Sequence, residues 1–222
     1  MPSSSPDRSD EMARLREQLV AAGRRLGARG LISAGEGNVS ARLGDGTILI
    51  TPSGRRKDEL TPEDLVIVPL QAGSDPGTGP RPSSDVAIHR AVYEARPDVV
   101  AVVHAHLPAA MALTLAGEIP DPAALPETAL LLPRLPHIPF ATPGSAELAR
   151  AVAAAFATGP DPLPGAVLLE RHGAVALGAT VDQAVDRLEL VEVLCRTWRD
   201  ALLIRGGVTS VGARAILEPP RT

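Results

Sequence analysis

Apolar residues recur at helical spacing near the start of the chain. Met12, Leu15, Leu19, Ala22 and Leu26 share one face, and Gly30 follows as a stop, so the spacing predicts an amphipathic helix over residues 11–29. Segments 47–51 and 65–70 have strand length, with a hairpin turn expected around Gly44-Asp45-Gly46. Ile88, Ala91, Val92 and Ala95 form the buried face of a second helix ending before Pro97. Ser83-Ser84 is placed to cap it, with Asp85 in its first turn. The unbroken run Val99-Val100-Ala101-Val102-Val103 is rich in β-branched residues and reads as a buried strand. A short helix over 107–116 follows. Ser145 opens another helix, with Leu148, Val152 and Phe156 on one side. Segments 166–169 and 174–177 read as strands, and a long helix runs from 181 to 204. The Pro-rich stretch 120–139 shows neither period. Strands alternating with helices, with no repeat and no dividing linker, predict a single α/β domain whose helices cover a sheet.

Composition narrows this picture. The 222 residues include two Phe, one Tyr and one Trp, so Ala, Val, Leu and Ile must fill the core. The same scarcity removes aromatic platforms for base stacking. With 22 basic and 26 acidic residues, a net charge of −4 and no basic block, nucleic acid is not an expected partner. No apolar run reaches the ~18 residues of a membrane span. Residues 1–10 are polar, lack a signal-peptide core and read as a disordered tail. The domain is expected over 11–205, with 206–222 as a C-terminal extension. Cys195 is the single cysteine, which rules out an intrachain disulfide and fits a cytoplasmic protein.

Candidate chemistry gathers at strand ends. His104-Ala105-His106 closes the apolar run, and side chains two apart on a strand point the same way. Two neutral imidazoles side by side either share a divalent metal or are satisfied by ordinary hydrogen bonds. His172, in the sharp turn Glu170-Arg171-His172-Gly173, is the natural third ligand; the alternative is a turn histidine facing solvent. Three histidines leave one tetrahedral position open, as in a catalytic zinc site. The Gly-rich stretch 33–40, Thr51-Pro52-Ser53-Gly54 and Ser83-Ser84 offer backbone N–H groups and hydroxyls to an anion, or serve only as turns and caps. Arg55-Arg56-Lys57 nearby either adds positive potential or, as the favoured reading, is a solvated charge run.

Taken in order, Gly37-Asn38-Val39-Ser40, Thr51-Pro52-Ser53-Gly54, Ser83-Ser84-Asp85 with His89 and Tyr93, His104-Ala105-His106 and His172-Gly173 resemble the class II aldolase/adducin family. The resemblance covers residues 11–205. It implies a three-layer α/β/α fold around a mixed, mostly antiparallel sheet, and a homotetramer with its site near a subunit interface. It implies zinc, or manganese or cobalt in its place, held by His104, His106 and His172. It also implies a phosphate pocket formed by Gly37, Asn38, Ser53, Gly54, Ser83 and Ser84, with a phosphorylated sugar as partner. The implied activity is that of a lyase, an aldolase cleaving a ketose 1-phosphate of the fuculose-phosphate or 5-deoxypentulose-phosphate type. Its products would be dihydroxyacetone phosphate and an aldehyde.

Asp85 stands where aldolases of the family usually carry Glu and the ribulose-phosphate 4-epimerase carries Asp. The resemblance assigns it acid/base work. It also keeps open an epimerase, a decarboxylase or dehydratase on the same scaffold, and last a non-catalytic adducin-like scaffold. His89 lies one turn after Asp85, either orienting it or packing beneath the site. The tyrosines that complete the family's sites have no counterpart, because Tyr93 is the only tyrosine. Glu127, in the Pro-rich segment, is the auxiliary candidate in their place.

Overall fold

The computed structural model describes residues 8–71 and 80–211. Along the chain run α1 (Arg8–Ala28), β1 (Asn38–Arg42), β2 (Thr47–Ile50), β3 (Val66–Pro69), α2 (Val86–Ala95), β4 (Ala101–Ala105), α3 (Pro108–Leu115), α4 (Pro126–Leu131), β5 (His137–Ile138), α5 (Ala146–Ala157), β6 (Ala166–Leu169), β7 (Gly173–Gly178) and α6 (Val181–Val211). The strands form one sheet of seven in the order β3-β2-β1-β4-β7-β6-β5. Every pairing is antiparallel except that of β5 with β6.

Alternation along the strands divides the core in two. Val39 and Ala41 of β1 and Ala101, Val103 and Ala105 of β4 face a layer built from α1, α3 and α6. Val102 and the opposite faces of the other strands meet α2 and α5. The result is the three-layer α/β/α arrangement expected from the sequence. No described helix is long and apolar enough to cross a membrane.

One buried charge fixes the strand-to-helix turn after β4. Glu192 of α6 is buried, and its carboxylate accepts from the backbone N–H of Ala109 at 3.2 Å and of Ala110 at 3.4 Å. A carboxylate at the start of α3 satisfies orphan donors there and complements the helix dipole.

Several boundaries differ from the sequence expectation. α1 begins at Arg8, so residues 8–10 belong to the helix rather than to a tail. α6 continues to Val211, past the end of the helix expected over 181–204. Residues 1–7, 72–79 and 212–222, which hold most of the expected tail, loop and extension, lie outside the described residues. β1 begins inside the Gly-rich stretch 33–40, which the sequence pattern assigns to no element. Two of its five residues, Asn38 and Ser40, are buried polar groups, so no apolar run announces it. β5 has only two residues, and α4, with Pro126 in its first turn, lies in the unassigned Pro-rich stretch. Asp85, not Ser83 or Ser84, occupies the cap position of α2, and Ser83 Oγ accepts from the Asp85 N–H at 3.3 Å.

Candidate active site

β4 delivers two imidazoles to one place. His104 lies within the strand and His106 just past its end, with ring centroids 5.1 Å apart. Antiparallel pairing of β4 with β7 sets Ala105 opposite Ala174, which brings the β6–β7 turn beside them. The His172 ring centroid then lies 4.7 Å from that of His104 and 4.8 Å from that of His106.

The approach depends on Gly173. Its φ is +105°, and a Cβ there would sit 2.1 Å from the Ala105 carbonyl oxygen. Gly173→Ala is expected to cost about 3 kcal/mol of stability from backbone strain and overpacking. Chemical denaturation checks this; a midpoint equal to that of the unaltered protein would contradict the close turn.

The three rings are close enough to share a cation. The His104 Nδ1–H donates to the Ala174 carbonyl at 2.9 Å, which turns the Nε2 lone pair into the site. That Nε2 and the His172 Nδ1 are buried, with no hydrogen-bond partner among the described residues. Buried polar atoms left unpaired are costly, and a His104 Nε2 turned toward two further imidazoles is an atom that a divalent metal would satisfy. The ligand atoms of all three histidines lie within 4.8 Å of one another. Burial, reinforced by His172, holds the His104 imidazole well below its ordinary pKa; burial and then His106 lower that of His172. Neutral imidazole is the form that binds metal.

A cavity of about 290 Å³ opens on the triad. Asp85, His106 and His172 line it together with Gly37, Asn38, Ser53, Gly54, Ser83 and Ser84, so the residues expected to hold phosphate stand in the same cavity as two of the three histidines. Backbone pairing brings the serine segments together. Pro52 bridges Pro82, the Ser53 N–H donates to the Arg81 carbonyl at 2.9 Å, and the Ser83 N–H donates to the Thr51 carbonyl at 3.1 Å. Gly37, at φ +68°, passes so close to β4 that a Cβ would lie 2.9 Å from the His104 carbonyl oxygen. Asp85 is 8% exposed; its Oδ2 accepts from Asn38 Nδ2 at 2.9 Å and lies 3.9 Å from His104 Nε2. The His89 ring is linked to the Asp85 carboxylate through Asn38, whose Oδ1 it contacts through Nε2.

Lys57 corrects the expectation of a solvated charge run. Arg55 and Arg56 are exposed and paired with Asp64 and Asp58, but Lys57 is 2% exposed and lines the cavity. Its Nζ donates to the Gly35 carbonyl at 2.7 Å and the Arg55 carbonyl at 2.6 Å, tying the two glycine-bearing loops together. Burial lowers its pKa, and the Asp85 carboxylate opposes that shift. Glu36 was also missed, although it sits between the two glycines of the Gly35-Glu36-Gly37 turn. It lines the cavity, with Oε1 3.5 Å from His106 Nδ1. Glu127 does not line the cavity of its own chain. Its neighbour Thr128 turns inward, donating from Oγ1 to the Pro122 carbonyl at 2.6 Å, and Glu127 is left exposed on α4, away from the cavity lining.

Fold and site together define an α/β/α protein with a histidine triad able to hold a metal beside a pocket lined by glycines and serines. The profile of the Class II Aldolase and Adducin N-terminal domain matches residues 17–199, and the chain belongs to that family. A methylthioribulose-1-phosphate dehydratase of Acidiphilium cryptum is 36% identical over 198 residues, spanning 83% of this chain and 90% of that one. A 5-methylthioribulose-1-phosphate/5-deoxyribulose-1-phosphate aldolase of Rhodospirillum rubrum is 37% identical over 188 residues, spanning 83% and 80%. Among solved structures, the L-fuculose-1-phosphate aldolase of Thermus thermophilus superposes with a TM-score of 0.76 at 34% identity, covering 87% of this chain and 97% of that one.

Proposed function

We propose that the protein is a divalent-metal lyase that cleaves a ketose 1-phosphate, of the 5-deoxypentulose or fuculose type, to dihydroxyacetone phosphate and an aldehyde. The observation that carries this reading is the clustering of three histidine ligand atoms within 4.8 Å of one another, beside a cavity that Asp85 lines together with glycines and serines. The aldolase and dehydratase relatives, both named for pentulose 1-phosphates, support the substrate class.

Zinc, or manganese or cobalt, held by His104, His106 and His172 would supply Lewis acidity to the substrate carbonyl. The remaining work falls to the chain itself. Backbone N–H groups around Gly37 and Gly54, with the hydroxyls of Ser53, Ser83 and Ser84 and the N-terminal end of α2, bind the phosphate and fix the orientation of the sugar. Asp85 moves the proton. It takes hydrogen from the C4 hydroxyl as the C3–C4 bond breaks with its electron pair on C3, and returns hydrogen to C3. The same reading takes the protein as a cytoplasmic homotetramer; exposed apolar residues such as Leu115, Leu130, Phe140 and Ile204 are available for subunit contacts.

Dehydration of the same kind of substrate is the second reading, favoured by the similarity to the dehydratase. Product analysis separates the two. With 5-deoxyribulose 1-phosphate and added metal, equal amounts of dihydroxyacetone phosphate and acetaldehyde are expected. A phosphorylated diketone retaining all carbons would mark dehydration, and a stereoisomer of the substrate would mark epimerisation; either outcome would replace the aldolase reading.

A further inference from the structure

Asp85, His89 and Tyr93 succeed one another at four-residue intervals along α2, and His89 and Tyr93 are buried. Asn38 and Ser40 stand two residues apart on β1, on the opposite side from Val39 and Ala41. Four helical residues rise about 6 Å and two strand residues about 6.6 Å, so the two rows keep step. They interlock as a buried ladder. Tyr93 Oη lies 2.8 Å from Ser40 Oγ, and Ser40 Oγ lies 2.6 Å from His89 Nδ1. His89 Nε2 meets Asn38 Oδ1, and Asn38 Nδ2 lies 2.9 Å from Asp85 Oδ2.

The direction of every hydrogen follows from one end. A carboxylate only accepts, so Asn38 presents its NH2 to Asp85 and its oxygen to His89. That oxygen also only accepts, so His89 carries its hydrogen on Nε2. Burial pushes His89 down to about 4, so the ring is neutral and Nδ1 is a bare acceptor. Ser40 therefore donates to Nδ1 and accepts from Tyr93. The Val100 carbonyl, 3.3 Å from Tyr93 Oη, is already engaged by the Arg42 N–H at 2.8 Å.

We propose that Tyr93, Ser40 and His89 form a one-way donor chain that holds the Asn38 amide with its NH2 toward Asp85, which makes His89 a positioning residue. Without this chain Asn38 is free to turn its oxygen toward the carboxylate, and the two acceptors repel. With it, Asp85 Oδ2 stays engaged and Oδ1, which has no hydrogen bond among the described residues, is left for the substrate. The catalytic consequence rests on the lyase reading; the direction of the chain does not.

The test has two arms. In the unaltered full-length protein without substrate, nitrogen-15 NMR of labelled histidine is expected to show His89 as the Nε2–H tautomer. Ser40→Ala, which frees Nδ1, is expected to introduce the Nδ1–H form. An Nδ1–H ring in the unaltered protein overturns the proposal whatever the substrate. In the kinetic arm, His89→Leu is expected to lower kcat about 30-fold with KM changed less than about twofold and metal content unchanged. His89→Gln keeps a donor facing Asn38 and is expected to recover kcat to within about fivefold of the unaltered protein. Equal losses in the two variants, or a rise in KM in place of a fall in kcat, overturn it. If neither His89 variant folds, Ser40→Ala carries the same readout, with an expected kcat loss of about fivefold. Inactivity of the unaltered protein on every ketose phosphate would reject the substrate reading and leave the NMR arm to decide the chain.

Discussion

Replacing His104 and His106 together by alanine is expected to abolish stoichiometric metal binding and to lower kcat/KM by at least about 10³-fold. The removed atoms include a buried Nε2 with no hydrogen-bond partner among the described residues. In the metal-free protein that atom is a burden of about 1–3 kcal/mol, and its removal offsets part of the cavity that alanine leaves. The double variant should therefore fold, with a far-ultraviolet circular dichroism spectrum matching that of the metal-free unaltered protein. Elemental analysis after dialysis, beside the product assay, reads the result. Retention of one metal per chain in the double variant would move the metal centre away from the triad.

The clustering of the three histidines was legible in the sequence because its parts obey short-range rules. Period two on β4 places His104 and His106 together, and a glycine after His172 marks a turn able to approach another backbone. Closure of the triad was not local. It depends on β7 pairing beside β4, a register that no segment of the chain states by itself. β1 escaped notice for a related reason. Its side chains toward α2 are Asn38 and Ser40, buried through hydrogen bonds rather than apolarity, so the strand lacks the pattern by which strands are recognised. Lys57 is the complementary case. Within Arg55-Arg56-Lys57-Asp58-Glu59 nothing separates it from its solvated neighbours. Only the folded loops, which aim the Gly35 and Arg55 carbonyls at one point, make burial of an ammonium tolerable.

Asp85→Asn is expected to lower kcat by about 10²–10⁴-fold while metal content is retained and KM changes little. The substitution keeps the shape of the side chain. The new amide oxygen can still accept from Asn38 Nδ2, so the bond now 2.9 Å long survives and stability is expected to change by less than about 1 kcal/mol. What disappears is the ability to carry a proton. The carboxylate that opposes the burial of Lys57 disappears with it, so the ammonium should fall further below its ordinary pKa in the variant. Asp85→Glu restores a carboxylate but displaces it by one methylene in a site that is 8% exposed, and activity between that of Asn and Asp is expected. The metal measurement gives this series its meaning. An inactive Asp85→Asn protein with full metal and unchanged KM places Asp85 in proton transfer. Loss of metal together with activity would instead place Asp85, already 3.9 Å from His104 Nε2, among the ligands and pass the proton to another group on the cavity wall.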